Sequence, residues 1–306
     1  MGKRSKSPIL VTGSHRSGST WAGNMLSWSP EVAYINEPFN ILYKPGSCRP
    51  HFKYWYTYVC RDNEEEHIRY LRDCLNYRPH QLPKAVRHGN LGDLPRILRF
   101  QAQCLKARWD KKRPLVKDPL AVLSTEWLAQ TFGMQVVMLV RHPAAFVGSV
   151  KKASWPHPFS HFLKQPLLMD RHLTEFRDEI EQFARQEQEI IDQAILMWRI
   201  VYSMVLKFRE KHQEEWIFIK HEALSRDPVG EFRSLYRKLD LDFSSDVEKK
   251  IREYSLAGAE AYQGMKRDSR SNIYRWKERL TPGEIERVRE KTEPLASQFY
   301  SAEEWG

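Results

Sequence analysis

Residues 9–21, ILVTGSHRSGSTW, run from an apolar stretch of strand character straight into a glycine-bounded, hydroxyl-rich turn that opens onto a helix. An apolar strand of this kind is stable only inside a sheet. The turn at its end leaves the first N–H groups of the following helix without intrahelical acceptors, and such groups bind phosphate. The segment therefore demands an α/β architecture with an anion site where the strand ends.

The turn from Gly13 through Gly18 to Thr20 keeps the G-x4-G frame and final hydroxyl of a phosphate-binding P-loop, but Ser19 stands where a nucleoside-triphosphate hydrolase has lysine. That lysine reaches the β and γ phosphates of a triphosphate. Here the cation of the loop is Arg16, three residues earlier. The N–H groups of Ser17, Gly18, Ser19 and Thr20, with the Arg16 guanidinium, suit one phosphate of a shorter anionic chain. A second strand, VVMLVR at 136–141, ends in Arg141-His142-Pro143 and leads into a helix carrying Ser149. A guanidinium at the strand end and a hydroxyl eight residues on can converge on a second phosphate, whereas a triphosphatase more often has an acid there to hold Mg²⁺. Two anion sites without a metal ligand imply a bisphosphorylated nucleotide and no metal.

Short apolar strands at 9–12, 32–35, 115–116, 136–140 and 216–219 alternate with helical stretches. This predicts a three-layer α/β fold, a central parallel sheet flanked by helices, in one domain over 1–306. The motif residues Ser14–Ser19, Glu37, Lys117 and Arg141 all follow strands, so one sheet edge gathers them. Residues 173–212 read as long helical sequence with a packing role. Residues 41–113 form an insertion rich in aromatic and basic side chains, read either as core or as part of an acceptor pocket.

Lysine and arginine outnumber aspartate and glutamate by 49 to 39, giving a formal charge of +10. That charge attracts anionic nucleotides, acidic glycans, nucleic acid and membrane surfaces alike, so it selects none of them. No nucleic-acid module is recognisable, and none is expected as a partner. The sequence contains no apolar run long enough to span a bilayer, and MGKRSKSPILV lacks the features of a secretory signal; the expectation is a soluble, cytoplasmic chain without a transmembrane segment. Cys48, Cys60, Cys74 and Cys104 show no C-x-x-C spacing, which argues against zinc and predicts free thiols.

Taken together, the RSGST loop, Arg141 with Ser149, Asn36-Glu37-Pro38, Val116-Lys117-Asp118-Pro119 and the segment from Ser269 to Trp276 resemble the sulfotransferases that use 3′-phosphoadenosine-5′-phosphosulfate (PAPS). Their order resembles the tyrosylprotein, heparan and bacterial carbohydrate branch more than the cytosolic aryl sulfotransferases, whose base is a histidine in another segment. The resemblance implies sulfuryl transfer from PAPS to a hydroxyl acceptor, a carbohydrate or glycolipid in preference to protein tyrosine or a small alcohol. It implies that Arg16, Ser17, Gly18, Ser19 and Thr20 hold the 5′-phosphosulfate, and that Arg141 and Ser149 hold the 3′-phosphate. Trp21 is then an adenine contact or a buried anchor of the first helix. Glu37 is the general base or a salt-bridging residue, and Lys117 is the cation on the leaving-group side or a surface lysine. Asp118 orients Lys117 or caps the helix after it. Arg270 is a further 3′-phosphate contact or part of a solvated basic loop, since the family's usual arginine-and-glycine version is absent there. Rival readings are an atypical P-loop kinase, which needs Mg²⁺ and a triphosphate, and a nonenzymatic anion-binding protein.

Overall fold

The computed structural model describes residues 7–42, 44–78, 91–256, 270 and 273–305. In chain order, β1 (Ile9–Gly13) leads to α1 (Ser19–Leu26) and β2 (Val32–Asn36). Then come α2 (Glu65–Leu75), α3 (Leu94–Trp109), β3 (Arg113–Lys117), α4 (Thr125–Phe132), β4 (Gln135–Val140) and α5 (Pro143–Ala153). The second half adds α6 (Arg177–Arg185), α7 (Ile190–His212), β5 (Ile217–Lys220), α8 (Pro228–Lys238), α9 (Ser245–Leu256) and α10 (Pro282–Ala296). All five expected strands are present, with ends differing by up to two residues.

The strands form one parallel sheet in the order β2-β3-β1-β4-β5. Strand β1 is buried along its whole length and pairs on both sides, Ile9 lying opposite Leu115 of β3 and Gln135 of β4. A strand in that position is mostly apolar, because both of its faces meet helices. Alternation then divides the core. Leu10, Val116, Val136, Met138 and Val140 join the cluster containing α5 and α7. Ile9, Val11, Leu115, Val137 and Leu139 join the cluster on α1, α8 and α9. This is the expected three-layer α/β fold. The chain leaves β1 toward β3 and β2 on one side, then crosses to β4 on the other. The loop after β1 thus lies at the point where strand order reverses, the usual crevice for ligands in such sheets.

The helical stretch expected over 173–212 is broken. A short 3-10 turn at Thr174–Phe176 precedes α6, and α7 begins only at Ile190. Residues 186–189 read Gln-Glu-Gln-Glu, so continued helix there would bury no apolar side chain. Gln186 is extended (φ −131°, ψ 134°), and the Gln193 side chain donates to the Gln188 carbonyl at 2.8 Å, bracing the bend.

Within the insertion, Phe52, Tyr56, Tyr70 and Tyr77 are buried, and Phe52 stacks on Phe39 with ring centroids 4.1 Å apart. These aromatics are core. Tyr54, Trp55 and Tyr58 remain half-buried. Tyr54 and Tyr58 join Lys53, His67, Lys164 and Leu168 in lining a cleft of about 530 Å³. Cys48, Cys74 and Cys104, far apart in sequence, line one small cavity as free thiols. Among the described residues no helix is long and apolar enough to cross a membrane.

Candidate active site

The loop after β1 depends on two glycines. Gly13 has φ 140°, and a Cβ there would lie 2.4 Å from the Leu139 carbonyl oxygen of β4. Gly18 has φ 93° and caps α1; a Cβ there would lie 2.4 Å from His221 Nδ1. The Ser17 N–H donates to the Ser14 carbonyl at 3.1 Å, closing the turn. The expected anion donors therefore reduce to the N–H groups of Gly18, Ser19 and Thr20, which open α1 and have no acceptor within it.

The two anion sites expected from sequence adjoin one another. Arg16 Nε donates to Ser149 Oγ at 2.8 Å, and the Arg141 guanidinium donates to the Arg16 carbonyl. Arg141 itself is fixed through its backbone. Its N–H donates to the Tyr202 hydroxyl at 2.8 Å, and its carbonyl accepts from Trp198 Nε1 at 3.0 Å. The Tyr202 hydroxyl also shares a hydrogen bond with Ser14 Oγ at 3.1 Å, so a single residue of α7 ties the ends of β1 and β4 together. Next along, the His142 N–H donates to Glu222 Oε1 at 3.1 Å, while the Tyr300 hydroxyl donates to Oε2 at 3.0 Å. Burial lowers the Arg141 pKa to about 10, and its partner charge Glu222 works against that fall. A half-buried guanidinium beside the Arg16 charge gains from a bound anion.

Ser17 Oγ, Arg141 Nε and Trp21 Nε1 are buried and lack a hydrogen-bond partner among the described residues. Such orphaned polar atoms around helix N–H groups fit an oxygen-rich anion. The Trp21 ring stands edge-on to His221 and Phe232, with centroids 5.8 and 5.4 Å away, so it does serve as an anchor of α1 against α8. Arg270 is exposed and donates to the Arg226 carbonyl at 3.1 Å. Residues 266–269 and 271–272 of its loop lie outside the described residues.

The second half of the site comes from β2 and β3. Asn36 and Lys117 pair across the sheet, and the Glu37 N–H continues the ladder onto the Lys117 carbonyl at 2.9 Å. Lys117 is not a surface lysine: its side chain is 2% exposed, and Nζ lies 2.5 Å from Glu37 Oε1. Asn40 Nδ2 donates to Glu37 Oε2 at 2.8 Å, with Lys44 Nζ 3.4 Å away. Burial alone would raise the Glu37 pKa, but the Lys117 ammonium and these donors outweigh it and hold the carboxyl below its usual range.

Asp118 is the brace beneath this pair. Its side chain accepts from the Phe39 N–H at 2.6 Å and the Leu120 N–H at 2.9 Å, fixing the turn after Glu37 and starting the 3-10 helix Pro119–Ser124. The capping role read from sequence is what it performs. Burial raises its pKa to about 7, with the two N–H donors and Lys117 opposing and Glu37 adding to the rise.

Arg16 (φ 62°), Glu37 (φ 47°) and Tyr56 (φ 56°) are three of the seven described non-glycine residues with positive φ. Each such conformation costs about 1 kcal/mol or more, and strain of this kind gathers where geometry serves function. Tyr56 brings the insertion to the loop, its hydroxyl accepting from the His15 N–H at 3.2 Å and bonding His15 Nδ1. Burial and the Arg16 charge lower the His15 pKa to about 3, so the ring is neutral at pH 7.

Residues 8–245 match the model of the Sulfotransferase family. The chain belongs to this family. It is a sulfuryl-transferring enzyme, and its α/β sheet is the expected one. The sulfotransferase domain of the Synechococcus PCC 7002 olefin synthase is similar in structure, with a TM-score of 0.52 at 16% identity and 98% of each chain covered. Also similar are sulfotransferase STF9 from Mycobacterium avium, with a TM-score of 0.47 at 14% identity over 97% of this chain and 78% of that one, and the sulfotransferase from Alicyclobacillus acidocaldarius, with 0.45 at 13% over 99% of each. At 16% identity the likeness to the olefin synthase domain is one of fold alone. Among curated proteins none matches the chain.

Sequence reading placed Ser14 at this sheet edge but missed Tyr56, Tyr202 and Glu222 as parts of the site. Tyr202 hides in the apolar period of α7, and only its hydroxyl, facing two strand ends, distinguishes it from core.

Proposed function

We propose that this sulfotransferase takes its sulfuryl group from PAPS, without a metal, and passes it to a hydroxyl of a carbohydrate or glycolipid, all within one domain. The observation carrying this reading is the Glu37–Lys117 pair, a carboxylate held ionised against a buried ammonium at the same sheet edge as the phosphate loop. PAPS supplies an activated sulfuryl group on a 5′-phosphate. The N–H groups of Gly18, Ser19 and Thr20, with Ser17 Oγ and Arg16, bind that end. Arg141 and Ser149 bind the 3′-phosphate, aided by Arg270, and Trp21 borders the adenine.

Glu37 accepts the acceptor's proton as the oxygen-to-sulfur bond forms. The bond from sulfur to the phosphate oxygen breaks in the same displacement, and Lys117 with Arg16 stabilises the charge that develops on that oxygen. The acceptor proton competes with Lys117 for Glu37, so acceptor binding loosens the ion pair as the reaction begins. The cleft that the insertion forms with residues 164–168, bearing Tyr54, Tyr58, Lys53 and Lys164, supports the carbohydrate reading, since rings stack on sugar faces and cations meet acidic substituents.

Radiolabelled PAPS incubated with oligosaccharides, glycolipids, tyrosine peptides and small alcohols tests this directly. Label should enter glycans or glycolipids without added metal and be lost in Glu37→Gln. Labelling confined to tyrosine peptides would overturn the acceptor class, and undiminished labelling by Glu37→Gln would remove its role as base.

A further inference from the structure

Helix α3 carries three of the six large hydrophobic side chains that stand exposed among the described residues, Leu98 at 50%, Leu105 at 63% and Trp109 at 86%. Their spacing of seven and then four residues places them within about 40° of arc on one face. Ile97, Cys104 and Ala107 bury the opposite side, so the apolar stripe is a second hydrophobic face, separate from the one that docks the helix. Arg99 and Lys106 flank the stripe on one side and Arg108 on the other, and all three are exposed. Leu94–Trp109 contains four cations and no carboxylate; Asp110, directly after it, pairs with Lys106 at 2.9 Å, leaving Arg99 and Arg108 as the main cations beside the stripe.

An outward apolar ridge with a tryptophan, bordered by lysine and arginine, has the chemistry of a helix lying in the plane of a lipid headgroup layer. The indole and leucines enter the acyl boundary while the cations meet lipid phosphates. A second copy of the chain is a poor occupant. An isologous contact would set the same cations against themselves, and three side chains offer far less than the roughly 800 Å² per partner of a stable interface. We propose that α3 docks the protein onto an anionic lipid surface.

Co-sedimentation of the full chain with vesicles tests the proposal, using phosphatidylcholine alone and phosphatidylcholine mixed with phosphatidylglycerol. The protein should sediment with the anionic vesicles only, and less so as salt rises. Leu105→Ser with Trp109→Ser should weaken partitioning about tenfold or more while leaving the thermal midpoint unchanged, because both side chains are exposed. Arg99→Gln with Arg108→Gln should weaken it as well. Failure to bind either vesicle would overturn the proposal, as would equal binding by the serine variant. So would a lipid-free dimer that the serine variant abolishes. The readout needs no sulfuryl donor, so its failure is distinct from failure of the proposed reaction.

Discussion

Exchanging the two members of the central ion pair one at a time should have unequal effects on stability and equal effects on catalysis. Lys117 is 2% exposed and Glu37 is 16% exposed, with Glu37 also held by Asn40 and Lys44. Glu37→Gln strips the buried ammonium of its carboxylate. An uncompensated buried charge costs about 3–5 kcal/mol, and the amide oxygen of glutamine retains enough hydrogen bonding to set the loss near the lower end, about 3 kcal/mol. Lys117→Met fills the same space with an apolar chain and leaves a carboxylate that still meets water and two donors, so its loss should be about 1 kcal/mol. Both variants should lower turnover by about a hundredfold or more, one by removing the proposed base and the other by removing the proposed cation on the leaving-group side. Urea unfolding at neutral pH and turnover at saturating PAPS measure the two quantities. A pH arm sharpens the first. The folded Glu37 pKa is depressed, so its stabilisation is present above the unfolded carboxylate value of about 4.3 and disappears as pH falls through the folded value. The gap between wild type and Glu37→Gln should therefore close in acid. Greater destabilisation by Lys117→Met than by Glu37→Gln would refute the reasoning, as would a gap that persists below the carboxylate range.

Arg141→Ala should weaken binding of a 3′,5′-bisphosphate nucleotide by about tenfold to a hundredfold while leaving AMP affinity nearly unchanged, measured calorimetrically. Gly18→Ala combines φ 93° with a Cβ 2.4 Å from His221 Nδ1, so it should lose about 2 kcal/mol in urea unfolding and bind the nucleotide poorly. Tyr202→Phe leaves the Arg141 N–H and the Ser14 hydroxyl without their shared partner, a loss of about 1–3 kcal/mol that differential scanning calorimetry would detect. Asp118 titrates at about 7 when folded and about 3.9 when unfolded. Its contribution should fall as pH rises from about 4 to 7 and stay level beyond, so the stability difference between wild type and Asp118→Asn should shrink over that window.

The parts of this molecule that sequence announces are those where local chemistry and tertiary role coincide. β1 and β4 carry long apolar runs because the centre of the sheet is covered on both faces, and polar or charged residues follow at the carboxyl edge. The loop after β1 is visible because Gly13 and Gly18 are required by backbone conformation itself. The break at 186–189 was harder to see, since four polar residues without glycine or proline are compatible with helix and yield only because they have nothing to bury. The supports of the site lay further out of reach. Tyr202 reads as one more apolar-face residue of α7, and Glu222 as one more surface acid. Both acquire meaning only when α7 and the short helix His221–Arg226 bring them against the ends of β1 and β4. The convergence of Cys48, Cys74 and Cys104 on one cavity is similarly a product of topology.

Calorimetric titration of the purified protein with 3′-phosphoadenosine-5′-phosphate, against AMP and ATP with Mg²⁺, tests the two-phosphate site at the centre of this account. Binding that requires the 3′-phosphate and no metal, and that Arg141→Ala weakens, is the predicted result. Equal affinity for AMP, or preference for ATP with Mg²⁺, would contradict it.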